Sequence, residues 1–249
     1  MLTISSLLLF ILTANFGSTM PARVDINEQI NKTVTLAPGS NVKVNGINGT
    51  VTIVTGEGDR AEIDIRIRAS DREALDRRPL LIEETGNSLT IRTEERSRDE
   101  RKGSSVRHDV NLKLPRDVNL RINGVNGAVD VGQIAGEVGI NGINGKVSVA
   151  QAGTVTHING INGHTTISLL RLGEGGLRVS GCNGGVSIGL PVSTNANIRV
   201  HGINGGVDTD LPITLSGEIK RGQLTGTIGS GGATIEITGI NGGVQLRRN

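Results

Sequence analysis

Apolar and polar positions alternate in short runs along most of the chain, and Asn-Gly steps punctuate the runs. The stretch Gly139-Ile140-Asn141-Gly142-Ile143-Asn144-Gly145-Lys146-Val147-Ser148-Val149 is the unit. Copies align on an anchor residue: Asn45, Asn123, Asn141, Asn159, Ser180, His201 and Thr238. Glycine follows every anchor, and three positions after it comes asparagine: Asn48, Asn126, Asn144, Asn162, Asn183, Asn204 and Asn241. A second glycine follows each of these. The residue before the anchor is always apolar, and the second after it is Ile, Val or Cys182. Period-two alternation on both sides of the motif predicts strands with one buried face.

The anchors are spaced 141−123 = 18, 159−141 = 18, 180−159 = 21 and 201−180 = 21 residues apart. A period near twenty is the signature of stacked repeats, because one unit cannot bury its inner face alone. The last step, 238−201 = 37, reads as two units, with a degenerate copy over residues 221–228. Asn-Gly between apolar runs predicts a corner, since both residues tolerate positive φ. The expectation is an all-β chain: a single-chain parallel β-solenoid (β-helix) of about eight coils. In it the seven asparagines form a structural ladder, amide above amide along the stack.

The regular array spans residues 118–249. Residues 60–117 break it with a charged insertion that serves as a cap and carries one short helix. Ser70 to Arg78 reads as that helix, with Ser70 or Asp71 as its N-cap and Pro79 as its stop. Residues 93–105 are a mixed-charge run that reads as a solvated loop. Leu2 to Phe16 is an apolar stretch too short to span a bilayer. Residues 1–22 therefore read as a signal peptide, although no Lys or Arg precedes the apolar run. Residues 23–249 are then the exported domain, with no transmembrane span after signal removal.

Composition narrows the function. The chain of 249 residues has 26 basic and 24 acidic side chains, so charge selects no partner. There is no Trp or Tyr, and both Phe lie in the first 16 residues. A core without aromatics must be thin, and single-stranded nucleic acid loses its stacking platforms, so no nucleic-acid partner is expected. Cys182 is the only cysteine and takes a core position of the repeat, which predicts a small buried hydrophobe.

The Gly-Ile-Asn triplets carry a family resemblance, as does the C-terminal run from Asp208 to Leu246, with its Leu-Thr-Gly-Thr-Ile-Gly-Ser-Gly-Gly-Ala and Ile-Thr-Gly-Ile-Asn-Gly-Gly-Val-Gln-Leu segments. The chain resembles the bacterial β-strand-repeat family labelled "putative adhesin", related to the head GIN domains. The resemblance covers most of residues 30–249. It implies a β-solenoid that is exported or membrane-tethered, and it brings no catalytic residues to carry over.

The remaining chemistry is sparse. His108, His157, His164 and His201 share no ladder, and a metal site needs three or four ligands in one place, so neither metal nor cofactor is expected. The seventh position after the anchor makes a stripe of small polar groups, including Asp130, Ser148, Thr166, Ser187 and Asp208. This is a candidate outer-face platform for a ligand such as a glycan; a plain solvated sheet face is the alternative. Asp130 and Asp208 lie several repeats apart, too far for paired acid–base work. The reading is a non-enzymatic, exported or cell-envelope interaction module whose partner is an envelope or surface protein or a glycan. A β-helical carbohydrate-active enzyme and an envelope rod that self-associates end to end are the alternatives.

Overall fold

A computed structural model of the chain describes residues 26–95, 105–152, 156–216 and 222–249. The segment read as a signal peptide, most of the mixed-charge run and Arg221 of the degenerate copy lie outside the described residues.

The first strands are β1 (Ile26–Thr35), β2 (Ser40–Asn45), β3 (Val51–Gly56) and β4 (Arg60–Ala69). A short helix, α1 (Arg72–Arg77), follows. Asp71 caps it: its Oδ1 accepts from the Ala74 N–H at 2.6 Å, satisfying one of the orphan donors of the first turn. Then come β5 (Leu80–Thr85), β6 (Ser88–Thr93) and β7 (Val106–Pro115). The repeat array supplies β8 (Val118–Val125), β9 (Val129–Ile134), β10 (Val138–Ile143), β11 (Val147–Ala152), β12 (Thr156–Ile161), β13 (Thr165–Ser168), β14 (Leu177–Cys182) and β15 (Val186–Leu190). The chain ends with β16 (Ala196–Ile203), β17 (Val207–Thr209), β18 (Ile213–Leu215), β19 (Leu224–Ile228), β20 (Ala233–Ile240) and β21 (Val244–Arg248).

These strands form two sheets. The ten-stranded sheet runs β1-β4-β7-β3-β9-β11-β13-β15-β21-β17, and the eleven-stranded sheet runs β18-β19-β16-β20-β14-β12-β10-β8-β2-β6-β5. Each repeat gives one strand to each sheet. Inward residues alternate with outward ones, and those of both sheets join one core of Ile, Val and Leu. Val44, Ile122, Ile140, Ile158, Val179, Ile237 and Val200 all lie at 0–1% exposure, one from each of seven neighbouring strands.

The chain is therefore all-β, but it is not the single-chain parallel β-solenoid of about eight coils that the repeat predicts. Both sheets are mixed. Antiparallel pairings join β1 to β4 and β4 to β7 at one end of the ten-stranded sheet. In the other sheet they join β5 to β6, β16 to β19 and β18 to β19. The 60–117 segment extends both sheets beyond β2 and β3, so β8 packs directly on β2. Nor does the spatial order follow the chain. The β20 strand lies between β14 and β16, in parallel register with both. The expected extra coil over 221–228 is instead β19, which runs antiparallel along the outer side of β16. The physical reason is local: Gly86-Asn87 turns β5 straight back onto β6, and an antiparallel neighbour closes a sheet without a return through the opposite layer.

The corner geometry also differs from expectation. No residue other than glycine has positive φ among the described residues. The first glycine of the motif takes that conformation, as at Gly142 (φ +65°). The second is required sterically: a Cβ on Gly145 would stand 2.2 Å from the carbonyl oxygen of Gly127 in the adjacent strand connection. The repeat keeps glycine there because equivalent corners stack in contact.

Candidate interaction face

The asparagines after the first glycine stand at the corner between the two sheets, and their side chains form one continuous hydrogen-bonded chain. Asn126 Nδ2 donates to Asn48 Oδ1 at 3.1 Å, Asn144 to Asn126 at 2.9 Å, and Asn162 to Asn144 at 3.0 Å. Asn183 donates to Asn162 at 3.1 Å. The order then departs from the chain: Asn241 donates to Asn183 at 2.9 Å, and Asn204 to Asn241 at 3.0 Å. At the other end Asn48 donates to the Val106 carbonyl at 2.6 Å. Every amide points the same way, so each bond polarises the next. A second ladder, which the sequence analysis does not predict, runs beside the first. Asn123 donates to Asn45 at 2.8 Å and Asn141 to Asn123 at 3.2 Å. Its signal was the asparagine at the anchor itself.

The platform residues lie on the outer face of the ten-stranded sheet. Register places Asp130 of β9 beside Ser148 of β11, then Thr166 of β13, then Ser187 of β15. Asp208 of β17 is not next to Ser187; Gln245 of β21 stands between them. The row continues the other way through Thr52, Asn111, Asp64 and Asn31. Ten strands thus present ten polar side chains in one line. The sequence could not show the last three, because their place in the row depends on the pairing of β1, β4 and β7.

Local contacts tune this face. Ser187 Oγ lies 3.2 Å from Gln245 Oε1 and 3.4 Å from His164 Nε2. Among the described residues His164 has no carboxylate partner, so the third group of a nucleophile–base–orienter set is missing. Arg247 pairs with Asp208. Asp130 and Asp208 stand five strands apart, about 24 Å at the usual strand spacing, so they do not form the carboxylate pair of a glycosidase. Among the described residues no group of three His, Cys, Asp or Glu is placed to hold a metal ion.

Near β1 the row passes through a shallow concavity of about 500 Å³, lined by Asn31, Thr52, Val54, Glu62, Asp64 and Lys113 among others. Gln29 Nε2 donates to Asp64 there at 2.9 Å, and Lys113 pairs with Glu62 at 2.8 Å. The concavity offers amides, hydroxyls and carboxylates but no aromatic ring. Beside it Asp109 accepts from the Thr50 hydroxyl at 2.8 Å and from Arg68 and Arg107. Burial opposes its charge, but these donors outweigh burial and hold the carboxyl well below the usual carboxylate range.

His108, one residue away, faces inward. It is 1% exposed, and neither ring nitrogen has a hydrogen-bond partner. Burial pushes its pKa down to about 4, with the Arg78 backbone pulling weakly the other way. Cys182 is likewise buried, against the Thr165 hydroxyl, and burial pushes its thiol up.

No protein-family model and no curated protein matches the chain. Among solved structures it is similar to a "putative cell adhesion protein" from Clostridium sporogenes, at 14% identity, over 90% of this chain and 100% of that one, with a TM-score of 0.43. A "putative adhesin" from Bacteroides fragilis matches 89% of this chain and 97% of its own at 10% identity, with a TM-score of 0.30. A "putative lipid binding protein" from Parabacteroides distasonis matches 89% and 96% at 10% identity, with a TM-score of 0.26. At these values the superpositions carry no argument about a site. Among the described residues no helix is long and apolar enough to cross a membrane. The chain is similar to bacterial proteins described as adhesins, the family that its Gly-Ile-Asn repeats resemble.

Proposed function

We propose that the chain is a non-enzymatic interaction module of the cell envelope, exported by residues 1–22 and working through residues 23–249. Its binding surface is the outer face of the ten-stranded sheet, and its partner is a surface glycan or envelope protein. The observation that supports this most is the in-register polar row from Asn31 to Asp208. Side chains there repeat at about the strand spacing of 4.8 Å. Such a row presents regularly spaced donors and acceptors to an extended partner, with hydroxyls and amides matching a sugar's own groups. The scattered carboxylates and the unsupported Ser187–His164 contact speak against turnover.

The test is binding of the full chain to an array of bacterial and host glycans and to solubilised envelope fractions. Wild type is compared with the double variant Ser148→Arg, Thr166→Arg, which puts two long cations mid-row. Binding that falls at least tenfold supports the reading. Absence of binding to every glycan and fraction, or binding that ignores the double variant, refutes it.

A further inference from the structure

The ten-residue strand β1 closes one edge of its sheet, and among the described residues no strand pairs with its outer side. A long unpaired edge is a template for another strand. The exposure pattern shows what is missing. In the neighbouring β4, Ile63, Ile65 and Ile67 are at most 4% exposed. In β1, Ile26 and Ile30 are only partly buried and pack on the core from one side.

We propose that β1 pairs antiparallel with β1 of a second copy of this chain, about a two-fold axis through Ile30. The inward residues read Ile26, Glu28, Ile30, Lys32, Val34. A two-fold normal to the sheet keeps inward residues inward, so paired positions must sum to an even number. Centring on Ile30 sets Glu28 against Lys32 of the partner copy, Lys32 against its Glu28, and Ile26 against its Val34. Outward, Gln29 meets Asn31. Centring on Gln29 or Asn31 would set each charge against an apolar residue. Centring on Glu28 or Lys32 would set like charges face to face, which destabilises a cross-strand pair. Only the Ile30 register satisfies every inward position.

Both charged positions of the register already carry a partner within the chain. Arg72 of α1 pairs with Glu28 at 2.6 Å, and Glu84 of β5 pairs with Lys32 at 3.3 Å. Both charged side chains keep substantial exposure, so each can serve a second partner. The ten-stranded sheets of two copies would then run on as one.

The test is sedimentation velocity of the full chain from about 1 to 200 μM, with Glu28→Lys and Lys32→Glu each alone and mixed. Each single variant sets like charges opposite one another in the self-paired register; mixed, they restore opposite charges at both positions. Wild type is expected to dimerise reversibly, each single variant to weaken at least tenfold, and the equimolar mixture to recover. Far-ultraviolet circular dichroism checks that each variant keeps its strands. A wild-type chain that stays monomeric at 200 μM overturns the proposal. So does association unchanged in both single variants, as pairing through residues 2–16 would give, or a mixture no tighter than its components. None of these results bears on glycan binding by the outer face, which is read separately.

Discussion

Acid should loosen this protein before its carboxylates titrate, and His108 is the reason. The imidazole sits between the sheets without a hydrogen-bond partner, and its pKa falls from the ordinary 6.5 to about 4. The folded state therefore resists a proton that the unfolded chain takes up readily. Above pH 6.5 both states are neutral and the group has no effect on stability. As pH falls from 6.5 to 4, the unfolded chain binds the proton first and the fold loses stability. The linkage relation gives a loss of about 2 kcal/mol at pH 5 and about 3 kcal/mol at pH 4. The perturbation is His108→Leu, which keeps an inward apolar volume and removes the titrating group. Urea unfolding at pH 7.5, 6, 5 and 4.5 should show wild type losing about 2.5 kcal/mol across the series, while His108→Leu loses less than half as much. Equal pH slopes for the two proteins would refute the reasoning, because the slope reads the titration and not the packing. Asp109 acts in a separate window. Its depressed carboxyl adds stability above the ordinary carboxylate range and loses it only as pH falls below about 4.

Gly145→Ala should destabilise by about 3 kcal/mol in urea, since its Cβ would meet the Gly127 carbonyl at 2.2 Å and force neighbouring backbone bonds apart. The control Gly206→Ala, where a Cβ meets nothing within 4 Å, should stay within about 0.5 kcal/mol. Asn144→Asp should cost more than Asn144→Ala at pH 7, by about 1 kcal/mol, because a carboxylate cannot donate to Asn126 and sets acceptor against acceptor; thermal melts of the two variants compare them directly. Cys182 should react with a thiol reagent only at the rate of unfolding, because it is buried and its thiol is pushed up; prompt modification of the native protein would contradict this.

Much of the architecture was legible because the same residue type serves the same contact in every repeat. Val147, sitting inward, and Ser148, sitting outward, follow from alternation alone, and the corner glycine at 145 follows from the spacing. What could not be read is which copy lies beside which. The strands β14, β16 and β20 carry Val179, Val200 and Ile237 at the same position, so any of them fits against any other. Nothing in that pattern favours the observed insertion of β20 between the other two. The antiparallel ends were hidden for a related reason: alternation in β4 predicts a strand but is silent about its direction. His108 shares the parity of Val106, Val110, Leu112 and Leu114, so alternation places it inward; that no hydrogen-bond partner meets its ring there depends on packing that the sequence does not show. The polar row was visible over its repeat half and invisible over its N-terminal half, where Asn31, Asp64 and Asn111 share no motif.

The direction of the asparagine chain has a bearing on how this protein ages. Each of the seven asparagines precedes a glycine, the sequence in which a side-chain amide is most easily attacked by the next backbone nitrogen, closing a cyclic imide and shedding ammonia. That attack needs a side chain free to swing round and a nitrogen free to reach it. Here the amide nitrogens of all seven are held by the neighbouring layer, and the Gly49 N–H is already given to the Asn126 carbonyl. One hydrolysed amide would put an acceptor where a donor belongs and break one bond of the column, while the asparagines on either side keep the bonds their own nitrogens donate. Damage would then stay where it began, and the restraint on every amide nitrogen is what delays that first event.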